Sequence, residues 1–460
     1  MNLVKNSPIR AGPTCLLVLI LVAAWYTPLG GQEADYGGKL TLSTAVDRAM
    51  AHHPNALAAD AGVEAAEASV GEISALRIPQ LAFDGSAVRF QEPMIISPLH
   101  SFDITEVPDF DRTLFRGTAS VSYTLFDGGN RGSRIRSARA ELGAAESMRE
   151  SAQASLISMV TEVYLAVLTA KDVLIAHDTR LTALEAELDR TQRLFAEGTT
   201  ARVVVLRAEA AIAQAQAERV ATSAALEVAE QNLARLTGLR AEEVAAENLV
   251  AVHLERGAAV LDRDALLMQA TTSNPELQRA REKHEVALQA KKAASSMWHP
   301  NISLFGGYLG YGSGSGGFVG EWQGGAMISY PVFTGGARSK TNARTSALVE
   351  IALQEVRRFE LNVQNGVDRG LSSVRESRAR LEAVEEAVTH LTEVARIERL
   401  ALEAGAGTQT EYLRSEAELL RASAAVIDAR NNEVAARLEL ARIVGQLNPG
   451  WLDRELESTP

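Results

Sequence analysis

The sequence has one cysteine, few aromatic residues and no long apolar run beyond its N-terminal segment. Cys15, the one cysteine, lies in that segment, so the rest of the chain has no thiol for a disulfide or a thiolate metal site. The eight histidines are scattered, and no phosphate-binding glycine loop precedes a lysine. We therefore expect no enzymatic activity, no metal site and no cofactor.

The charge and the N-terminus narrow the class of protein further. A formal charge of −12 argues against nucleic acid as a partner. Lys5 and Arg10 precede the apolar run Cys15–Trp25, which is too short to span a membrane. This order of charge and apolarity is typical of a secretory signal, which we predict over residues 1–31. The protein is expected to be exported.

A segment of 65 residues, Arg131–Phe195, contains no proline and two glycines. Apolar residues recur in it every seven positions, which is typical of a helix whose narrow seam faces other helices. That row is Val160, Val167, Leu174, Leu181, Leu188 and Phe195, and a second row is Val163, Ala170, His177, Leu184 and Thr191. At 1.5 Å per residue, this helix would span roughly 100 Å.

The long segment occurs twice. The row of Val160 returns 207 positions later from Val367, and the same displacement relates Leu125–Gly129 to Val332–Gly336. Upstream, Pro54 and Pro275 are 221 positions apart. Downstream, Gly198-Thr199 is matched to Gly407-Thr408 at a displacement of 209. The chain is therefore predicted to be a tandem duplication.

Four segments show the twofold alternation of strands and lie just before the two long helices. They are Gln80–Phe90, Arg116–Phe126, Asn301–Tyr308 and Trp322–Phe333, with a flexible loop expected over Gly310–Gly317. An amphipathic strand pair at the end of a long helix, with no aqueous core to face, has lipid as its natural solvent. Because a barrel needs about eight strands, several chains must combine theirs.

These patterns predict an α+β fold, mainly α, with long helical hairpins and four strands per chain. We expect a signal over 1–31, a first repeat over 32–238, a linker over 239–261, a second repeat over 262–447 and a frayed tail over 448–460. Each repeat is expected to hold short helices, two strands, a long helix and a returning helix. The returning helices are predicted over Arg202–Thr237 and Thr410–Val444.

In these features the chain resembles the TolC family of outer-membrane efflux and secretion ducts. The resemblance rests on Leu125–Gly129 with Val332–Gly336 and on the two Gly-Thr turns, and it covers about Leu42 to Leu447. It implies a homotrimer in the outer membrane, with a transmembrane β-barrel facing lipid and a periplasmic α-barrel. It also implies a passive, non-enzymatic channel. Its partners would be a periplasmic adaptor (a membrane fusion protein) and an inner-membrane pump, in a tripartite efflux or type I secretion system.

The resemblance also implies two kinds of site. The adaptor-docking turns would be Gly198, Thr199, Thr200, Gly407, Thr408 and Gln409. Each Gly-Thr pair has an alternative interpretation as a helix stop followed by the N-cap of the next helix. A ring of acidic side chains in the lumen would include Glu393 or Glu386. Here the alternative is a solvated helix face.

Two other classes of function remain open at this point. A periplasmic coiled-coil adaptor or scaffold would also have long hairpins, export and acidity. It would, however, bury its strands in a soluble domain, whereas these strands leave one apolar face. An exported hydrolase has no catalytic constellation to support it.

Overall fold

The computed structural model describes residues 39–97, 108–254 and 262–458. The helices in these ranges are α1 (Leu42–His52), α2 (Pro54–Ser74), α3 (Asn130–Ala196), α4 (Arg202–Thr237), α5 (Arg263–Ser273), α6 (Pro275–Ser295), α7 (Ala337–Glu403), α8 (Gln409–Val444) and α9 (Pro449–Glu455). The strands are β1 (Gln80–Ile95), β2 (Phe110–Phe126), β3 (Val252–Leu254), β4 (Asn301–Ser313), β5 (Phe318–Ser329) and β6 (Leu456–Ser458). The predicted signal lies outside the described residues. None of the described helices is long and apolar enough to cross a membrane.

The two halves of the described chain have the same order of elements and the same helix lengths. Helices α1 and α5 have 11 residues, α2 and α6 have 21, α3 and α7 have 67, and α4 and α8 have 36. Two antiparallel strands lie between the second and third helix of each half. The predicted duplication and both long helices are confirmed.

Local sequence signals account for where these helices begin. Both α2 and α6 start at a proline, whose missing N–H would have no partner in the first turn of a helix. The Asn274 side chain caps α6 by accepting a hydrogen bond from the Leu277 N–H at 2.9 Å. Helices α3 and α7 follow Gly129 and Gly336, whose φ angles of 87° and 82° favour glycine.

The four long strands form one antiparallel sheet in the order β1-β2-β4-β5. Within the described residues, β1 and β5 are the edge strands and have no further strand beside them. The loop predicted over Gly310–Gly317 is wrong in its first half, because β4 continues to Ser313 and the turn follows it. Strand β5 ends at Ser329, before the predicted end at Phe333.

One face of this sheet carries large apolar side chains that are exposed in the single chain. Leu81 pairs with Val121, and Tyr308 pairs with Trp322 in the next strand pair. Leu81 and Trp322 are 82% and 81% exposed. The opposite face carries Ala82 beside Ser120, and Ser120 beside Gly307. The alternation predicted from the sequence therefore produces one mainly apolar surface, on which Arg89 and Thr113 are polar exceptions towards one end.

The helices form rows beside the two long ones. Near the sheet, the packing order is α2, α3, α6 and α7, and farther away it is α4, α3, α8 and α7. Each long helix is thus accompanied by a short helix and a returning helix. Part of the predicted seam is buried: Val160 and Val167 are fully buried in α3, as is Leu184 in its distal half. Towards the turn, Leu188 is half-buried and Phe195 is exposed in the single chain.

A core in the middle of the described chain joins the two repeats. The buried Tyr164 hydroxyl donates to the carbonyl of Leu40 or Val250, both 2.8 Å away, and accepts from the Val250 N–H at 3.0 Å. The described part of the tail expected to fray, residues 448–458, is instead folded, with Trp451 and Leu452 of α9 buried in this core. Strand β6 pairs with β3 from the segment predicted as a linker.

Candidate functional site at the hairpin turns

The first hairpin turn closes α3 with a left-handed glycine. Gly198 has φ 74°, and the Thr199 N–H donates to the Leu194 carbonyl at 2.9 Å. The Thr199 hydroxyl donates to the same carbonyl at 2.8 Å. Helix α4 then begins after Ala201, which offers no side-chain cap. Thr199 therefore completes the helix stop and does not cap the next helix.

The second turn is closed by Gly405 and not by Gly407. Gly405 has φ 74°, and it lies 207 positions after Gly198, the displacement that relates the long helices. The predicted match of Gly198-Thr199 to Gly407-Thr408, at a displacement of 209, is therefore wrong: Gly405, and not Gly407, has the backbone conformation of Gly198. Gly407 matters for close approach, since a Cβ on it would lie 3.0 Å from the Ala401 Cβ. Because the Gly-Thr pair occurs in both turns, the sequence alone suggests Gly407 and not Gly405 as the counterpart of Gly198.

Thr408 starts α8 with a capping box. Its hydroxyl accepts from the Glu411 N–H at 3.2 Å, and its own N–H donates to the Glu411 carboxylate at 3.2 Å. For Thr408, the interpretation as an N-cap is confirmed. Thr200, by contrast, precedes the capping position of α4 and is half-buried.

Gln409 links the second turn to the first long helix. Its side chain is 7% exposed, and its Nε2 donates to Glu187 Oε1 at 3.1 Å. Glu187 also accepts two hydrogen bonds from Arg190, at 2.8 and 3.0 Å. The hydrogen bond that Arg190 donates to Glu187 raises the pKa of Arg190. The three side chains form a polar link between α8 and α3, in which Gln409 and Glu187 are buried and Arg190 is half-buried.

The sequence analysis does not identify Glu187 or Arg190, because charged residues are common on helices and most of them are solvated. Tyr412 is also buried here, and burial, with the nearby Glu416 and Glu187 carboxylates, raises its pKa to about 12. A charged pair at i and i+3 beside the second apolar row was the available signal. It is a weak one, because exposed pairs at this spacing are common.

The two candidate lumen acids are exposed on α7. Glu393 accepts two hydrogen bonds from Arg396, at 2.7 and 2.6 Å. The hydrogen bond from Arg396 lowers the pKa of Glu393. Glu386 lies 3.7 Å from the Nε2 of His390 and is likewise exposed. Each acid is therefore next to a basic group one turn along its own helix.

Comparison with known proteins identifies the family. The model of the family described as "Outer membrane efflux protein" matches residues 45–239 and 266–446, one segment in each repeat. The chain belongs to the outer membrane efflux protein family. The efflux protein is 24% identical over 312 residues to the outer membrane protein TolC of Vibrio cholerae, covering 66% of this chain and 70% of that one.

Solved structures show the same fold. The efflux protein superposes on the outer membrane protein VceC of Vibrio cholerae with a TM-score of 0.72 and 19% identity, covering 88% of this chain and 96% of that one. It superposes on the CmeC outer membrane channel of Campylobacter jejuni with a TM-score of 0.74 and 15% identity, covering 90% and 88%. The expected fold of α-barrel and β-barrel is confirmed.

The family settles the broad function. The efflux protein is an outer-membrane efflux duct, located in the outer membrane, and the alternative of a periplasmic adaptor or scaffold is not favoured. Its family consists of efflux proteins and is not an enzyme family.

Proposed function

We propose that the efflux protein forms a homotrimeric, passive exit duct, without enzymatic activity, in a tripartite efflux or type I secretion system. The observation that carries the proposal is the position of one exposed apolar sheet face at the end of two 67-residue helices. At 1.5 Å per residue, each helix extends roughly 100 Å, which is enough to reach far into the periplasm from a barrel in the membrane.

The edges of the sheet support assembly from several copies. Strands β1 and β5 leave backbone groups unpaired within the described chain, and unpaired groups in lipid cost several kcal/mol each. Three copies would supply twelve strands and close the barrel. We expect the full-length protein to fractionate with the outer membrane as a trimer that resists detergent. A soluble periplasmic monomer would contradict the duct.

The hairpin turns are the proposed docking surface for the adaptor of an inner-membrane pump. They lie at the far end of the long helices, because each long helix begins beside the sheet and ends at its turn. Gly198, Thr199, Thr200, Gly407 and Thr408 shape the turn backbone. Gln409 is buried against Glu187, so its contribution would be to hold the second turn in place.

A photo-crosslinking amino acid at Thr200 tests the docking surface in cells. We expect adducts with the adaptor from Thr200, and none from Val220, a matched position that is 64% exposed in the middle of α4. Adducts from both positions, or from Val220 alone, would place the contact elsewhere. Adducts with other copies of this chain only would show that the turn faces the lumen.

The acids on α7 are the proposed selectivity ring. Threefold symmetry would turn one exposed carboxylate into three around the pore. Glu393 and Glu386 are seven residues apart in α7 and so lie near the same helix face, two turns from each other. The pairing of Glu393 with Arg396 places a compensating positive charge beside each carboxylate of the ring.

A further inference from the structure

The row of helices near the sheet ends in two free edges that match the free edges of the sheet. Helix α2 is at one end of the row and α7 at the other. Strand β1 follows α2 along the chain, and β5 precedes α7. A second copy whose β1 pairs with β5 would therefore bring its α2 towards α7. The strand directions alternate through the sheet, so this new pair would be antiparallel.

The duplication supplies a visible template for that contact. Within one chain, the long helix α3 packs against α6, the short helix of the other repeat. Arg136 Nε donates to Gln289 Oε1 at 2.9 Å, and a Cβ on Gly143 would lie 3.0 Å from the Glu282 Cδ. From the first contact to the second, the residue number rises by seven in α3 and falls by seven in α6. This relation fixes an antiparallel register.

The register can be transferred to α7 and α2 by the displacements between the repeats. At a displacement of 207, the counterparts of Arg136 and Gly143 in α7 are Ala343 and Glu350. At a displacement of 221, the counterparts of Gln289 and Glu282 in α2 are Ala68 and Ala61. All four resulting residues are exposed in the single chain. In the template, by contrast, Gln289 is only 1% exposed. The faces of α7 and α2 that correspond to the α3–α6 contact are therefore exposed in the single chain, whereas the contact between α3 and α6 buries Gln289.

Charge complements this register. Helix α2 carries four acids and neither lysine nor arginine: Asp60, Glu64, Glu67 and Glu72. The first 13 residues of α7, 337–349, carry three cations and no acid. Of the three, Arg338 is buried between Trp298 and Tyr330, whereas Lys340 and Arg344 are exposed.

The exposed cations have no acidic partner among the described residues. Lys340 is the fourth residue of α7, at the end of the first turn, where the helix dipole disfavours positive charge. Lys340 is the counterpart of Ser133, which accepts from Arg136 at 3.3 Å on the face towards α6. The transferred register places Arg344 opposite Glu67, and it places Lys340 opposite Gly71, next to Glu72. An acidic helix from another copy would complement both.

We propose that in the trimer, on whose proposed existence this inference rests, α7 of one copy packs antiparallel against α2 of the next. Ala343 lies against Ala68 at the centre, where small side chains allow close approach. Lys340 binds Glu72, and Arg344 binds Glu67. These ion pairs set the register between copies, while the matching contact inside each chain uses the neutral partner Gln289.

Disulfide trapping in full-length protein in its membrane tests the register. Ala68→Cys with Ala343→Cys should give covalent dimers and trimers under mild oxidation, since bridged Cα atoms lie about 4.4–6.8 Å apart. The matched control, Ala68→Cys with Glu350→Cys, moves one partner along α7 by about 10 Å and should give none. The single-cysteine variants serve as the background.

Charge reversal tests the ion pairs independently. Lys340→Glu with Arg344→Glu should lower the temperature at which the detergent-solubilised trimer dissociates by several degrees. Adding Glu67→Lys and Glu72→Lys to the same chain should restore it. Rescue would require contact between copies, because no ion pair joins these residues within a described chain.

The outcomes separate this inference from the proposed duct. A stable trimer with no Ala68–Ala343 disulfide and no rescue by reversal would overturn the interface and leave the duct standing. Equal trapping at Ala343 and Glu350 would also overturn the register. If even the unmodified protein were monomeric in the membrane, the proposed trimer would fail and the interface with it.

Discussion

At the scale of single residues, two equivalent arginines, one in each repeat, have different electrostatic environments. Arg131 lies 5.9 Å from the Tyr123 ring centroid, and its Nε donates to Asp127 Oδ2 at 2.9 Å. Its counterpart Arg338 lies 5.3 Å from the Tyr330 ring centroid. The position of Asp127 is taken in the second repeat by Thr334. The Arg338 guanidinium accordingly makes no hydrogen bond within the described residues, and its Nη2 is buried.

Replacing Thr334 by aspartate should give Arg338 the missing carboxylate. Burial raises the pKa of Asp127, but hydrogen bonds from the Arg131 backbone and side chain outweigh it and leave that pKa lowered. We expect Thr334→Asp to raise the free energy of unfolding by about 1 kcal/mol at neutral pH. A carboxyl with a lowered folded-state pKa stabilises the fold above its unfolded pKa. The gain should therefore disappear as the pH falls through the folded-state pKa.

Urea unfolding of the solubilised protein at neutral and acidic pH measures this gain. Thr334→Asn is the matched control, with a similar shape and no charge, and it should change stability little at either pH. A destabilised Thr334→Asp, or a gain that persists in acid, would show that the site does not accept an ion pair.

Removal of the Glu393 carboxylate tests the proposed acidic ring. Glu393→Ala should reduce cation selectivity in single-channel recordings and weaken any block by divalent cations, because three carboxylates leave the pore together. Glu382→Ala is the control on the same helix, since Glu382 is also exposed and paired with an arginine, Arg378, at 3.2 Å. Identical conductance changes in both variants would remove Glu393 from the pore wall.

At the scale of elements, the turns decide how the long helices end. Gly198 and Gly405 share a φ of 74°, and nothing lies within 4 Å of a Cβ built on either. Their requirement is therefore purely conformational, since an L side chain rarely adopts a left-handed backbone. At Gly407 the requirement is steric, because a Cβ there would lie too close to Ala401.

Proline at Gly405 should disrupt the second turn. Proline fixes φ near −65° and cannot supply a left-handed conformation. We expect Gly405→Pro to abolish export while the trimer still forms, since the sheet and upper helices are distant from the turn. Gly405→Asn should retain most export, because asparagine tolerates the left-handed region. Normal export in Gly405→Pro, with normal amounts in the outer membrane, would show that the turn is not the docking surface.

The elements also show what the sequence could predict. The bounds of α4 were predicted to the residue, because Arg202–Thr237 holds no glycine or proline and Gly238 ends it in a left-handed conformation. Strand β4 was cut short because Gly310 was read as loop. It is a strand residue, and a Cβ on it would lie 2.8 Å from the Phe318 ring of the neighbouring strand. Glycine is required at this position by a contact with the neighbouring strand, which the sequence of β4 alone does not reveal.

The candidate site was less predictable than the helices for a similar reason. The capping role of Thr408 is local, and its sequence signature was available. The link from Gln409 to Glu187 joins residues 222 positions apart, and β3 pairs with β6, although the whole second repeat lies between them in the chain. Such contacts depend on how the two hairpins pack together, which periodicity within one helix does not report.

At the scale of the whole molecule, the two faces of the sheet must meet different solvents. Val121 lies on the apolar face, paired with Leu81 on one side and Gly306 on the other. Ser120 lies on the opposite face, between Ala82 and Gly307. If the apolar face meets lipid and the other the lumen, adjacent residues of one strand should respond oppositely to the same substitution.

Arginine at these two neighbouring positions makes that comparison. Val121→Arg would put a charge into the bilayer, at a cost of about 2–4 kcal/mol near the midplane, and should reduce assembly in the outer membrane. Ser120→Arg should assemble normally and shift conductance towards anions, because the glycine beside it leaves room for the longer side chain. Trimer yield in membrane fractions and single-channel recordings are the two measurements. Equal assembly of both variants would contradict the lipid-facing assignment, whereas failure of Ser120→Arg alone would reverse the two faces.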